Sequence, residues 1–75
     1  MPTENEVRTA LKIIADNREA PALNYAVNYA IAGMSMSGET LKTQCLYVLN
    51  NITYWRGDEA KRVRECLKAF TKENK

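Results

Sequence analysis

The side chains that could do chemistry in this chain are few, and their spacing matches no catalytic or metal-binding pattern. Histidine is absent, which excludes histidine-based catalytic triads and histidine metal ligands. Cys45 and Cys66 are 21 positions apart and lack the paired spacing of a zinc site. The acidic residues are scattered, with no pair placed for acid–base work. We therefore expect no enzyme activity, no cofactor, no metal and no small-molecule substrate.

The two thiols are better explained as packing groups. Two cysteines are too few for a disulfide scaffold, and both fall on the apolar faces of predicted helices, where cysteine acts as a small hydrophobic residue. The first six residues are polar and acidic, unlike a signal peptide. No apolar run approaches the roughly 20 residues that cross a bilayer. These features predict a cytoplasmic protein with no membrane partner.

A second chemical feature is a run of basic residues near the C-terminus. We name as the basic ridge the residues Arg56, Lys61, Arg64, Lys68 and Lys72. Residues 56–75 contain seven basic and four acidic side chains, a net charge of +3, whereas the whole chain carries +2. A basic helix face can bind phosphate backbones, so nucleic acid is one candidate partner. Because Glu65 could pair with Lys61 and Lys68, a solvated face that aids solubility is the preferred interpretation.

Helix-capping residues and apolar periodicity divide the chain into four elements. They predict helices at about 4–17, 21–32, 38–55 and 59–72. The first begins with a capping box formed by Thr3 and Glu6, and Gly33 is a natural cap for the end of the second. At the later boundaries, we expect Ser37 to cap helix 3, Gly57 to end it and Asp58 to cap helix 4.

The length of 75 residues allows one domain, spanning residues 1–75, with a thin core. No strand-like alternation competes with the helical periodicity. Short connections favour antiparallel neighbours. The predicted fold is therefore all-α, a compact bundle of about four short antiparallel helices arranged as two helical hairpins. Trp55 is expected in the core or at its rim.

Charge is nearly absent from the middle of the chain. Residues 20–38 and 43–55 contain no Asp, Glu, Lys or Arg, and only Glu39 and Lys42 interrupt this stretch. Helix 2 has a broad apolar arc, and the outer face of helix 3 is polar but uncharged. Aromatic residues without charge are typical of interface cores. The candidate interface residues are Tyr25, Tyr29, Tyr47, Asn50 and Tyr54.

The sequence allows two explanations of the tyrosines. They could lie flat over neighbouring helices of the same chain, with their hydroxyl groups in water. Alternatively, they form a contact surface for another protein chain. We favour a non-enzymatic interaction or accessory module that self-associates through helix 2, the outer face of helix 3, or both. The alternative function is nucleic-acid association through the basic ridge.

Overall fold

In the part of the chain that the structure describes, four α-helices pack so that each contacts two of the others. The computed structural model describes residues 2–17, 19–20, 23 and 25–72. The helices are α1 (Glu4–Asp16), α2 (Ala26–Gly33), α3 (Gly38–Asn50) and α4 (Asp58–Lys72). The packed pairs are α1–α2, α2–α3, α3–α4 and α1–α4, which closes the bundle. No strand occurs in these ranges, so the predicted all-α bundle is confirmed.

The core is made mostly of aliphatic side chains contributed at helical spacing. Trp55 and Phe70 are its two aromatic members, and Cys45 is fully buried. The fully or almost fully buried side chains at its centre are Val7, Leu11, Ile14, Leu23, Leu41, Val48, Ile52, Val63 and Leu67. The four tyrosines lie outside this core. Hence the predicted inward faces are largely confirmed, and Trp55 is a core residue.

Helix 3 ends five residues earlier than its predicted end at residue 55. Its cap, Asn51, donates its backbone N–H to Val48 and Leu49 and its side-chain amide to the Tyr47 carbonyl at 2.8 Å. Those bonds use carbonyl groups that a continuing helix would need. The chain then turns so that Ile52 and Trp55 still enter the core. Gly57 therefore does not end α3; it precedes α4, with a φ of 116°.

Helix 2 begins at Ala26 in the structure, later than the predicted residue 21. Pro21, Ala22 and Asn24 lie outside the described residues. The predicted start of helix 2 at Pro21 therefore concerns a residue that the structure does not describe. Leu23 forms a short turn by donating its N–H to the Ala20 carbonyl at 2.9 Å, and its side chain is fully buried. This turn brings Leu23 into the core before α2 starts.

The prediction that Gly33 caps helix 2 is wrong, because Gly33 is a packing residue. It is the last residue of α2, it is buried, and it does not have the positive φ of a glycine cap. A Cβ atom at this position would lie 3.0 Å from Leu11 Cδ1 and 3.1 Å from Gln44 Cγ. A larger residue here would require Leu11 on α1 and Gln44 on α3 to shift by a few tenths of an ångström, because both side chains approach the Gly33 backbone closely.

The N-termini of α1 and α3 are tied together by one carboxylate. The predicted capping box of Thr3 and Glu6 is confirmed. Ser37 occupies the capping position of α3, but its side chain makes no capping hydrogen bond, so the predicted cap is wrong. Instead, a Glu4 carboxylate oxygen accepts the Gly38 N–H at 2.9 Å. The reason is tertiary packing, which places the start of α1 beside the start of α3.

We predict that Glu4→Ala destabilises the protein by about 1–2 kcal/mol, the typical effect of losing a helix cap. Ser37→Ala should change stability by less than about 0.5 kcal/mol, because its hydroxyl makes no capping bond. Urea denaturation followed by circular dichroism measures both values. Glu4→Gln is the matched control, since its amide oxygen can still accept the Gly38 N–H. A larger loss from Ser37→Ala than from Glu4→Ala would contradict this assignment.

Candidate functional site

The candidate interface residues are brought together mainly where α2 meets α3. The rings of Tyr29 on α2 and Tyr47 on α3 have centroids 5.9 Å apart and are tilted by 36°. Tyr25 lies one turn before Tyr29, whose backbone N–H it accepts. Asn50 follows Tyr47 by three residues on α3, close to the same side of the helix. The structure therefore joins four of the five residues into one surface.

Tyr54 does not extend this surface along α3 as its seven-residue spacing from Tyr47 predicted. Because α3 ends at Asn50, Tyr54 lies in the turn segment that follows. It has 80% of its surface exposed. The structure thus places Tyr54 outside the helical face, although it remains an uncovered aromatic residue.

Threonines complete the surface on the N-terminal half of α3. Thr40 and Thr43 precede Tyr47 by seven and four residues, and both are exposed. We define the tyrosine face by the residues Tyr25, Tyr29, Thr40, Thr43, Tyr47 and Asn50. It carries no charged side chain.

The exposure of the three tyrosines on this face tests whether they simply cover the bundle. Tyr25 is 71% exposed, Tyr47 50% and Tyr29 40%. Tyr29 and Tyr47 lean on each other, and the chain covers part of both side chains. A ring lying flat on a neighbouring helix keeps its outer face exposed, and Tyr25 is more exposed than that. The tyrosine face is therefore a partly exposed aromatic surface.

The two nearest charged residues on α3 affect this surface unequally. Lys42 turns toward α4, where its Nζ atom lies 5.8 Å from the centroid of the Phe70 ring. Glu39 is exposed in the first turn of α3, where a negative charge is favoured by the helix dipole. The described structure therefore directs the lysine away and leaves one carboxylate near the edge of the tyrosine face.

Gln44 fixes the relative position of the two helices and was not identified from the sequence. It is almost fully buried, and its Nε2 atom donates to the Tyr29 carbonyl at 2.9 Å. The bond ties α3 to the backbone that carries the Tyr29 ring. The sequence indicated this role only by placing a polar residue on an otherwise apolar helix face, because a buried polar side chain needs a hydrogen-bond partner. Leu46 and Ile31 are also about half exposed, which the apolar periodicity did not predict.

The central residue of the basic ridge, Arg64, binds the protein's own backbone, whereas the other members face solvent. Arg64 is partly buried, and its Nη1 atom donates to the carbonyl oxygens of Trp55 at 2.6 Å and Ile52 at 3.3 Å. These bonds give hydrogen-bond donors to two backbone carbonyl groups of the turn segment, residues 51–57, between α3 and α4. The other members, Arg56, Lys61, Lys68 and Lys72, are exposed. The structure therefore leaves four ridge residues on the surface and directs Arg64 toward the protein.

The thiols are placed for packing rather than for reaction. Burial raises the pKa of the Cys45 thiol to about 12, and the neighbouring Cys66 thiol adds to that rise. Burial also raises the pKa of Cys66, with a further contribution from Glu6. Since the thiolate is the nucleophile, little reactive thiolate is present at neutral pH. Among the described residues, no group of three or more Cys, Asp or Glu side chains could hold a metal ion.

We predict that Arg64→Ala destabilises the protein by about 1.5–3 kcal/mol, because two carbonyl groups lose a charged hydrogen-bond donor. Lys68→Ala is the matched control on the same helix, and it should change stability by less than about 0.5 kcal/mol. Thermal and urea unfolding provide the measurements. Equal, small effects of the two substitutions would show that Arg64 does not stabilise the turn segment.

Comparison of the chain with known protein families, with curated proteins and with solved structures found no match. In the part of the chain that the structure describes, none of the helices combines the length and apolar character needed to cross a membrane. The most distinctive surface is the tyrosine face, and the second is the exposed part of the basic ridge.

Proposed function

We propose that this protein is a small non-enzymatic interaction module, an adaptor or accessory subunit, that binds another protein chain through the tyrosine face. The observation that carries the proposal is the uncharged surface across α2 and α3, centred on the Tyr29 and Tyr47 rings 5.9 Å apart. Tyrosine is enriched in interface hot spots because one side chain supplies both apolar area and a hydrogen-bonding group.

The rigidity of this surface also supports binding. The Gln44 bond to the Tyr29 carbonyl and the close packing at Gly33 hold α2 and α3 in a fixed arrangement. Binding therefore orders little backbone. Each tyrosine has only two side-chain torsions to immobilise, which keeps the entropy loss small. A preorganised aromatic face of this kind favours association with a complementary protein surface.

Site-specific photocrosslinking in cells that make the protein tests this function. A benzophenone amino acid at Tyr47 should give covalent adducts with a protein chain, because the side chain would lie inside the contact. The same group at Glu65, which is exposed on α4, is the control and should give few adducts. Absence of protein adducts at Tyr47, Thr43 and Tyr29 would contradict the proposed function.

A second candidate function is nucleic-acid association through the basic ridge. It is supported by the exposure of Arg56, Lys61, Lys68 and Lys72. In the described residues, Glu65 makes no ion pair within 4 Å of Lys61 or Lys68, so both ammonium groups are free of that contact. The structural use of Arg64 weakens this candidate, because the ridge loses its central charge to the protein interior.

Fluorescence anisotropy with labelled DNA and RNA tests the second candidate. If the ridge binds phosphates, affinity should fall about 10-fold or more between 50 and 200 mM salt, as expected for several phosphate contacts. Lys61→Glu with Lys68→Glu should abolish binding, whereas Tyr47→Ala should leave it unchanged. No anisotropy change at low salt would exclude this function.

A further inference from the structure

The hydrogen-bonding groups of the tyrosine face have a property that narrows the choice of partner. They are tyrosine and threonine hydroxyls and one carboxamide, that of Asn50. Each of these groups both donates and accepts hydrogen bonds. Identical copies of such a surface can therefore satisfy each other. A surface made of carboxylates or ammonium groups could not, since it would offer only acceptors or only donors.

The distribution of charge also favours pairing between two identical copies of the surface. In a dimer with two-fold symmetry, a residue near the symmetry axis meets its own copy, so every charged residue there faces a like charge. A different partner imposes no such restriction and would commonly be recognised by opposite charge. The tyrosine face carries no charge, and Lys42 turns toward Phe70 on α4. Glu39 lies near the edge of the face, in the first turn of α3, about two turns before Tyr47. The absence of charge around Tyr47 therefore favours a second copy.

The area that a dimer needs can be compared with the surface of this chain. A stable interface of ordinary size covers about 800 Å² on each partner. That is about one sixth of the 4839 Å² of accessible surface of this chain. A dimer of this size would use the outer sides of both α2 and α3, with the tyrosine face at its centre. A dimer would also extend the thin core of a 75-residue chain with a shared apolar layer.

We infer that the tyrosine face is occupied by a second copy of this chain, in a symmetric dimer whose two-fold axis passes near Tyr47. This inference rests on the proposed function, because it names the partner of the same surface. The Tyr29 and Tyr47 rings of the two copies form a four-ring aromatic cluster at the centre. The aromatic residues exclude water there, and Thr40, Thr43 and Asn50 provide the polar surroundings.

Charge exchange at position 47 tests this inference. Wild-type protein at about 100 µM should sediment as a dimer, at twice the 8.5 kDa chain mass. Tyr47→Lys and Tyr47→Glu should each weaken self-association about tenfold or more, because like charges meet at the axis. Mixing the two variants should restore a dimer, since opposite charges then face each other. Restoration also shows that both variants are folded.

Ala69 provides the matched control, because it is exposed on α4, away from the tyrosine face. Ala69→Lys and Ala69→Glu should each dimerise like the wild-type protein. Three results would overturn the inference: a wild-type monomer at about 100 µM, undiminished dimerisation of both position-47 variants, or no recovery on mixing. A monomer that still gives heavier adducts from the Tyr47 crosslinker would retain the proposed function with another partner. A monomer that gives no adducts from the Tyr47 crosslinker would contradict both the dimer and the proposed function.

Discussion

The close packing of α2 between α1 and α3 is the constraint on which the rest of the structure depends. The buried residues of α2 are all small, Ala26, Ala30 and Gly33, and Val27 packs against the core at its edge. At Gly33 even one added carbon atom would press on Leu11 and Gln44. The side of α2 that faces the core is therefore made of small residues. The exposure of Tyr25 and Tyr29 is thus a consequence of how tightly the helix packs.

The same contact explains why the aromatic surface is continuous. As α3 approaches α2, the Gln44 amide reaches the Tyr29 carbonyl, and Tyr47, three residues later, comes to lie beside the Tyr29 ring. Interior packing and surface chemistry are therefore linked by one helix pair. Most of the charge lies around this pair, on α1, α4 and the connections that join them to it, and α3 itself carries only Glu39 and Lys42. A protein organised in this way offers its neutral, rigid side to a partner and its charged sides to water.

Local patterns predicted the features whose causes are close in the sequence. The capping box formed by Thr3 and Glu6 and the buried periodicity of α1 and α4 were of this kind. Failures arose where the deciding contact comes from a distant residue. The N–H of Gly38 at the start of α3 is bound by Glu4, 33 positions before Ser37, and not by the Ser37 hydroxyl. Gly33 packs against Leu11 and Gln44, which are distant in the sequence. The early end of α3 depended on bonds made by Asn51, together with the burial of Ile52 and Trp55.

The candidate site followed the same division. The absence of charge and the tyrosine positions on α2 and α3 could be read from the sequence. Three contacts are seen only in the structure. The Tyr29 ring touches the Tyr47 ring, Lys42 turns toward Phe70, and Arg64 binds the Trp55 carbonyl. Tyr54 was misplaced because its assignment assumed that α3 continues to residue 55. Helical periodicity therefore identified the surface chemistry, while tertiary packing determined which residues share that surface.

The most direct measurement of the central claim is a dilution series of amide NMR spectra of the intact protein. Between about 10 µM and 1 mM, a range that populates monomer and dimer for a micromolar dissociation constant, resonances shift wherever the two copies touch. A dimer through the tyrosine face predicts shifts at Tyr29, Thr43 and Tyr47 and constant resonances at Lys61 and Lys68. Spectra that do not change with concentration in a protein that sediments as a monomer, or spectra that change only along α4, would contradict the dimer.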